Sequence, residues 1–215
     1  CWVCTVVDKD KSMENLIDSG EDWMQPLLEL RQDLKDTQDP EKKLEIRDFK
    51  RRDGKVMFFT DGTEKITPGP YKIEFRKEFL KKLLEAQNKV RKDGPDPTMS
   101  LILEEEIHEI QRIWRVEQGD WENSVYAIYE EFTGVNLSSV KEDLGGFTKV
   151  EQEILDGICE KNDVPKLLVS KLLNAEFDSQ GMTRHSKIYP KLGKILSEEW
   201  RTYDEIETIK EELKD

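Results

Sequence analysis

Apolar side chains recur along this chain at spacings of three and four residues, and alternate only in one short stretch. The pattern therefore predicts a chain of amphipathic helices. Ser12 is placed to cap a short helix carrying Met13, Leu16 and Ile17, with Gly20 ending it. Trp23, Leu27, Leu30 and Leu34 then fall four, three and four residues apart, one stripe of a helix with Pro26 confined to its early turns. After Asp39 and Pro40 a basic helix is expected from Leu44 to Arg51, and the period changes at Gly54. Val56 to Thr60 is apolar and β-prone. Asp61 and Gly62 are the dipeptide favoured by a two-residue hairpin turn, in which both positions need positive φ, so a small β-hairpin is expected around residues 55–67.

Pro68, Gly69 and Pro70 stop the returning strand and open a long helix through about Arg91, with Phe79, Leu80, Leu83, Leu84 and Val90 inward. Leu103, Ile107, Ile110 and Trp114 form the next stripe. Asp120 is placed to cap a helix bearing Trp121, Val125, Ile128 and Phe132, which Gly134 ends. Thr148 with Glu151 reads as a capping box before Ile154, Leu155 and Ile158, and a further short helix holds Leu167, Leu168 and Leu172. Tyr189 to Trp200 and a last helix with Ile206, Ile209 and Leu213 complete the series. The expected fold class is mainly α, a multi-helix protein with one small hairpin. Three regions are expected: residues 1–20 around a pair of cysteines, 21–134 as a helical region containing the hairpin, and 135–215 as a carboxy-terminal helical subdomain.

The 215 residues suffice for one or two domains with a sizeable core, so disulfides are not needed for stability. Three cysteines suit a reducing compartment, and no run approaches the apolar length of a membrane span, so a cytoplasmic protein without membrane contact is expected. A start at cysteine suggests a piece of a longer polypeptide. The net charge of −13, with 38% charged residues, argues against a nonspecific polyanion binder and confines any nucleic-acid contact to local basic runs. Those runs are Lys42, Lys43, Arg47, Lys50, Arg51, Arg52 and Lys55, then Lys72, Arg76, Lys77, Lys81 and Lys82. Lys50, Arg51 and Arg52, beside the hairpin, are the candidate contact to DNA or a partner; the alternative is an ordinary solvated face of mixed sign.

The pattern with most chemical content is CWVC. Cys1 and Cys4 are two thiols two residues apart, able to grip one metal ion from a tight turn. A zinc site or iron-sulfur cluster normally takes four protein ligands, and the third cysteine, Cys159, sits on an apolar helix face as a buried structural thiol. The remaining ligands would come from elsewhere, or the pair is simply two half-buried thiols at a turn. Glu105 and His108 have the spacing of di-iron bundles, but that site needs a second such pair, and His185 is preceded at three residues by Met182. No metalloprotease helix motif, nucleophile elbow or Gly-rich phosphate loop occurs; Gly145 and Gly146 follow the repelling charges of Glu142 and Asp143. No catalytic residue can be assigned here, and without a phosphate cradle the chain by itself is expected not to hydrolyse ATP.

Four stretches carry a family resemblance: CWVCTVVDKDKSMENLIDSGEDWMQPLLELR, GPYKIEFRKEFLKKLLEAQ, LEEEIHEIQRIWRVEQGDWENSVYAIYEEFTG and QGMTRHSKIY. They resemble the carboxy-terminal part of the DndC family, the sulfurtransferases of bacterial DNA phosphorothioation, over nearly all of the chain. The resemblance implies an upstream ATP pyrophosphatase domain of the PAPS-reductase type holding ATP and magnesium, a 4Fe-4S cluster, and replacement of a non-bridging phosphate oxygen of DNA by sulfur. It implies as partners a cysteine desulfurase, a DndD-type ATPase and DndE, with DNA as the substrate of the full complex. Carried onto this chain it makes Cys1 and Cys4 cluster ligands, the others lying upstream; Cys159 matches no motif of the family. The alternative is a noncatalytic helical scaffold or interaction module whose CxxC is half of a zinc knuckle, since soft thiolates suit both metals. A thioredoxin-like role ranks third, because its CxxC belongs in a βαβ setting.

Overall fold

The computed structural model describes residues 2–40, 42–51, 56–57, 66–137, 149–179 and 188–199. Over these the protein is mainly α. Helix α1 spans Lys11–Asp18 and a 3-10 turn Asp22–Met24; α2 spans Gln25–Asp36, α3 Lys43–Ile46, α4 Ile73–Asp93, α5 Glu104–Gln118, α6 Ser124–Thr133, α7 Lys149–Lys161, α8 Lys166–Ser179 and α9 Ile188–Glu199. Among the described residues no helix is long and apolar enough to cross a membrane. The last expected helix, the loop at Gly145 and Gly146, Thr148, and the hairpin turn at Asp61 and Gly62 lie outside them. At the described edges of that segment the Thr67 N–H donates to the Met57 carbonyl at 2.6 Å.

The chain divides into two units. The first comprises Cys1–Asp48, Pro70–Ile110 and Ser124–Val140. Its α1 is capped two residues earlier than expected: the Asp10 carboxylate, not Ser12, accepts the Met13 N–H at 3.1 Å and satisfies one of the orphan donors of the first turn. The far end closes as expected on Gly20, whose φ of +106° only glycine adopts freely. Gly20 N–H bonds the Ile17 carbonyl and Glu21 N–H that of Leu16, the paired bonds of a Schellman motif. Trp23 lies in the 3-10 turn rather than in α2, but the stripe it begins continues inward through Leu27 and Leu30. Met13, Leu27 and Val90 form a buried cluster, with Trp2, Ile17, Trp23, Met24, Leu28, Met99 and Leu101 packed around it.

Helix α4 is the spine of this unit and packs against α2 and α6. Leu80, Leu84 and Val90 are buried as expected. Gly94 ends the helix under Trp23; a Cβ there would stand 2.6 Å from the Val90 carbonyl oxygen and 3.1 Å from the indole. Gln87 is buried among these apolar residues, and its Oε1 accepts the N–H groups of Leu101 (2.7 Å) and Ile102 (3.3 Å), so one side chain satisfies the loop entering α5. Leu103, expected inward, is 54% exposed because it precedes the helix, and its N–H is capped by the Glu106 carboxylate at 2.9 Å.

The expected basic helix from Leu44 to Arg51 is cut to the single turn of α3. Arg47 is extended and pairs antiparallel with Tyr71, with Asp48 N–H on the Pro70 carbonyl (2.8 Å) and Lys72 N–H on that of Ile46 (3.0 Å). Backbone bonds to a segment more than twenty residues away outweigh a weak local helix preference.

The second unit comprises Phe49–Gly69, Gln111–Asn123 and Lys141–Asp215. Here Asp120 is not a cap. The turn instead runs to Asn123, which takes a φ of +54° while its Oδ1 accepts from Arg115 (2.5 Å) and Gln111 (3.2 Å). Gly119, at φ +66°, brings the turn against α8, where the Trp121 indole N–H donates to Ser170 Oγ at 2.6 Å. Helices α8 and α9 pack together, and Lys171 meets the buried Glu199 at 2.5 Å. Along α7 the inward position is Cys159, 5% exposed, whereas Ile154 and Ile158 are 57% and 55% exposed.

Candidate functional site

The cysteine turn rests on the first unit. Cys1 lies outside the described residues; Trp2 and Val3 form a turn, and Cys4 is a half-buried free thiol. On one side of Cys4, Trp2 is packed against the cluster of Met13, Leu27 and Val90. On the other side runs residues 5–8, whose valines do not hold it: Val6 is 88% and Val7 53% exposed. The segment adheres through its carbonyls instead.

Three side chains of α2 and the residues just after it make that attachment. Arg31 donates from Nη2 to the Val7 carbonyl at 2.5 Å and from Nη1 to that of Asp8 at 3.3 Å. Lys35 donates to the Thr5 carbonyl at 3.2 Å and pairs with the Asp8 carboxylate at 2.9 Å, and Gln38 Nε2 donates to Thr5 Oγ1 at 2.7 Å. The hydrogen bond from Lys35, and then its charge, hold the Asp8 carboxyl below its ordinary value. That ion pair is solvent-washed and contributes little to stability. Arg31 is different in kind. It is 1% exposed, and its Nε is buried with no partner among the described residues.

The sequence stripe contained a signal for this residue. Arg31 falls four residues after Leu27 and three before Leu34, on the inward face of α2, and a guanidinium at such a position is buried only when its donors are used. Lys35, one turn further, and Gln38, beyond the helix, carry no comparable mark.

The remaining sequence candidates are placed as follows. The Lys50 amine lies 5.7 Å from the centroid of the Phe49 ring, Arg51 is exposed, and Arg52 is outside the described residues. The two basic runs meet at the Arg47 and Tyr71 pairing, where the Arg47 guanidinium stacks 4.0 Å from the Tyr71 ring centroid and Arg76 Nε donates to the Tyr71 carbonyl at 2.8 Å. His108 is engaged by Tyr126, 2.9 Å from Nδ1 to the hydroxyl, with the rings edge to face. Cys159 belongs to the second unit.

The donor set for a metal is therefore one described thiol. Among the described residues no group of three or more His, Cys, Asp or Glu side chains could hold an ion. Cys4 is a soft donor of the kind that suits iron or zinc, and a metal site built on it would need further ligands from outside the described residues. Comparison with protein-family models, with curated proteins and with solved structures gives no significant match.

Proposed function

We propose that this chain is the carboxy-terminal part of an ATP-dependent, iron-sulfur-containing sulfurtransferase that installs phosphorothioate linkages in the DNA backbone. Its helical region would present the cysteine turn and dock partners or DNA. Two things support the reading: the four stretches of family resemblance, and the attachment of the cysteine turn to α2 by a buried arginine. The second is the observation that carries it within the structure, because a loop with exposed valines gains little from being held unless its position matters.

In this reading Cys1 and Cys4 are two ligands of a 4Fe-4S cluster, and the other ligands and the ATP and magnesium site lie upstream. Bound there, the cluster would add a thiolate-ligated iron-sulfur centre to this part of the protein. The overall chemistry has two halves: ATP adenylylates a non-bridging phosphate oxygen of DNA with loss of pyrophosphate, and a sulfur nucleophile then displaces AMP, which carries that oxygen away. Sulfur would arrive from a cysteine desulfurase, with a DndD-type ATPase and DndE as further partners. Lys50, Arg51 and Arg52 are proposed to touch DNA or one of these partners.

The test is metal analysis of the complete protein purified without oxygen. Iron and acid-labile sulfide are expected in the parent, absent in Cys1→Ser and Cys4→Ser and kept in Cys159→Ser. Iron unchanged in the first two removes the assignment. Zinc in place of iron and sulfide replaces it with a scaffold carrying half of a zinc knuckle.

A further inference from the structure

We infer that Arg31 is a positioning residue for the cysteine turn: from α2 it holds the carbonyls of Val7 and Asp8, and so presents Cys4 in one place on the helical scaffold. The use of that thiol rests on the reading above, but the geometry of the hold does not.

Cys4 sits between two anchors. Two residues before it, Trp2 is packed in the core cluster; one residue after it, Thr5 receives Lys35 and Gln38; three and four residues after it, Val7 and Asp8 receive Arg31. A chain released at the second anchor could swing Cys4 by several ångströms, since each extended residue spans about 3.3–3.6 Å. The three donors are not equivalent. Lys35 keeps 22% of its side chain in solvent and the Gln38 bond is exposed, so water can replace either. Arg31 is 1% exposed, so its guanidinium has no solvent to turn to and is committed to these two carbonyls.

The choice of residue also separates positioning from stability. A guanidinium buried against two carbonyls, with the solvent-washed Asp8 carboxylate as its nearby counter-charge and Nε unsatisfied, is a poor way to stabilise a core face shared with Leu27 and Leu30. Methionine, of similar length and apolar, would pack there without the desolvation cost. Arginine in this position therefore serves the loop it holds more than the helix it stands on.

The test compares Arg31→Met and Arg31→Gln with the parent chain. Three quantities are read: the alkylation rate of Cys4 by iodoacetamide, localised by peptide mass, the amide exchange of residues 5–8, and the exchange of α2 and α4. With Arg31→Met, Cys4 alkylation and exchange of residues 5–8 are expected to rise at least tenfold while α2 and α4 stay as protected as in the parent. Arg31→Gln, whose amide is too short to reach both carbonyls, is expected to behave alike. A parent-like Cys4 rate in a folded variant overturns the inference. So does a rise of Cys4 labelling in step with α2 and α4 exchange in both variants, which would make Arg31 merely structural. None of these readouts uses metal, so a cluster that proves absent leaves them standing, and a failed clamp leaves the metal analysis standing.

Discussion

Gln87 shows how much of this protein is held by single polar side chains in apolar surroundings. Its carboxamide oxygen is the acceptor for two successive backbone N–H groups, Leu101 and Ile102, where the chain turns from α4 into α5. A buried donor left without a partner costs about 1–3 kcal/mol, whereas a satisfied one contributes less than that. Gln87→Leu keeps the volume and removes the acceptor. The expected result is a destabilisation of about 2 kcal/mol or more, seen as a lower urea midpoint with an unchanged slope. Arg31 follows the same logic with the opposite purpose. Both residues lie on inward helix faces, and both direct polar atoms at a loop that has no secondary structure of its own.

At the scale of elements, helices α4 and α6 pack together to give the first unit its core, and Tyr129 of α6 is buried in that unit. Burial first, and the nearby Glu104 charge second, push the Tyr129 phenol up from its ordinary value. The folded state thus binds this proton more tightly than the unfolded chain does. Its contribution is complete below about pH 10, the ordinary tyrosine range, and is lost as pH rises through the higher folded value. Urea midpoints measured at pH 8, 10 and 11 are expected to fall on the alkaline side in the parent, and to fall less in Tyr129→Phe. Equal slopes in both would mean that the decline belongs to other groups.

For the whole molecule the decisive quantity is charge. The chain carries −13, so any binding to DNA would have to come from places where basic residues gather. Residues 42–51 hold five basic and two acidic side chains, and residues 70–82 hold the same numbers. Replacing Lys50, Arg51 and Arg52 together by alanine is expected to weaken DNA binding of the complete assembly. It should also flatten the dependence of log K on log salt by about 0.9 for each phosphate that is no longer neutralised, up to about 3 in all. An unaltered slope would assign these three residues to the solvated surface.

The order of helices, the apolar stripes of α2 and α4, and the glycines that close α1 and α6 were legible in the sequence. Each depends on a local rule: a 3.6-residue period, or a backbone conformation that a side chain disfavours. The CxxC is a spacing of two thiols in the sequence, of which Cys4 alone lies among the described residues. What lay beyond local rules is everything decided by distant partners. The basic helix stops at Ile46 because Arg47 finds Tyr71, and α7 leaves Ile154 and Ile158 in solvent. The attachment of residues 5–8 to Arg31 spans more than twenty residues and uses backbone carbonyls, which every sequence has. Side-chain periodicity carries no information about which carbonyl a buried donor meets; only the tertiary packing of the loop on α2 decides that.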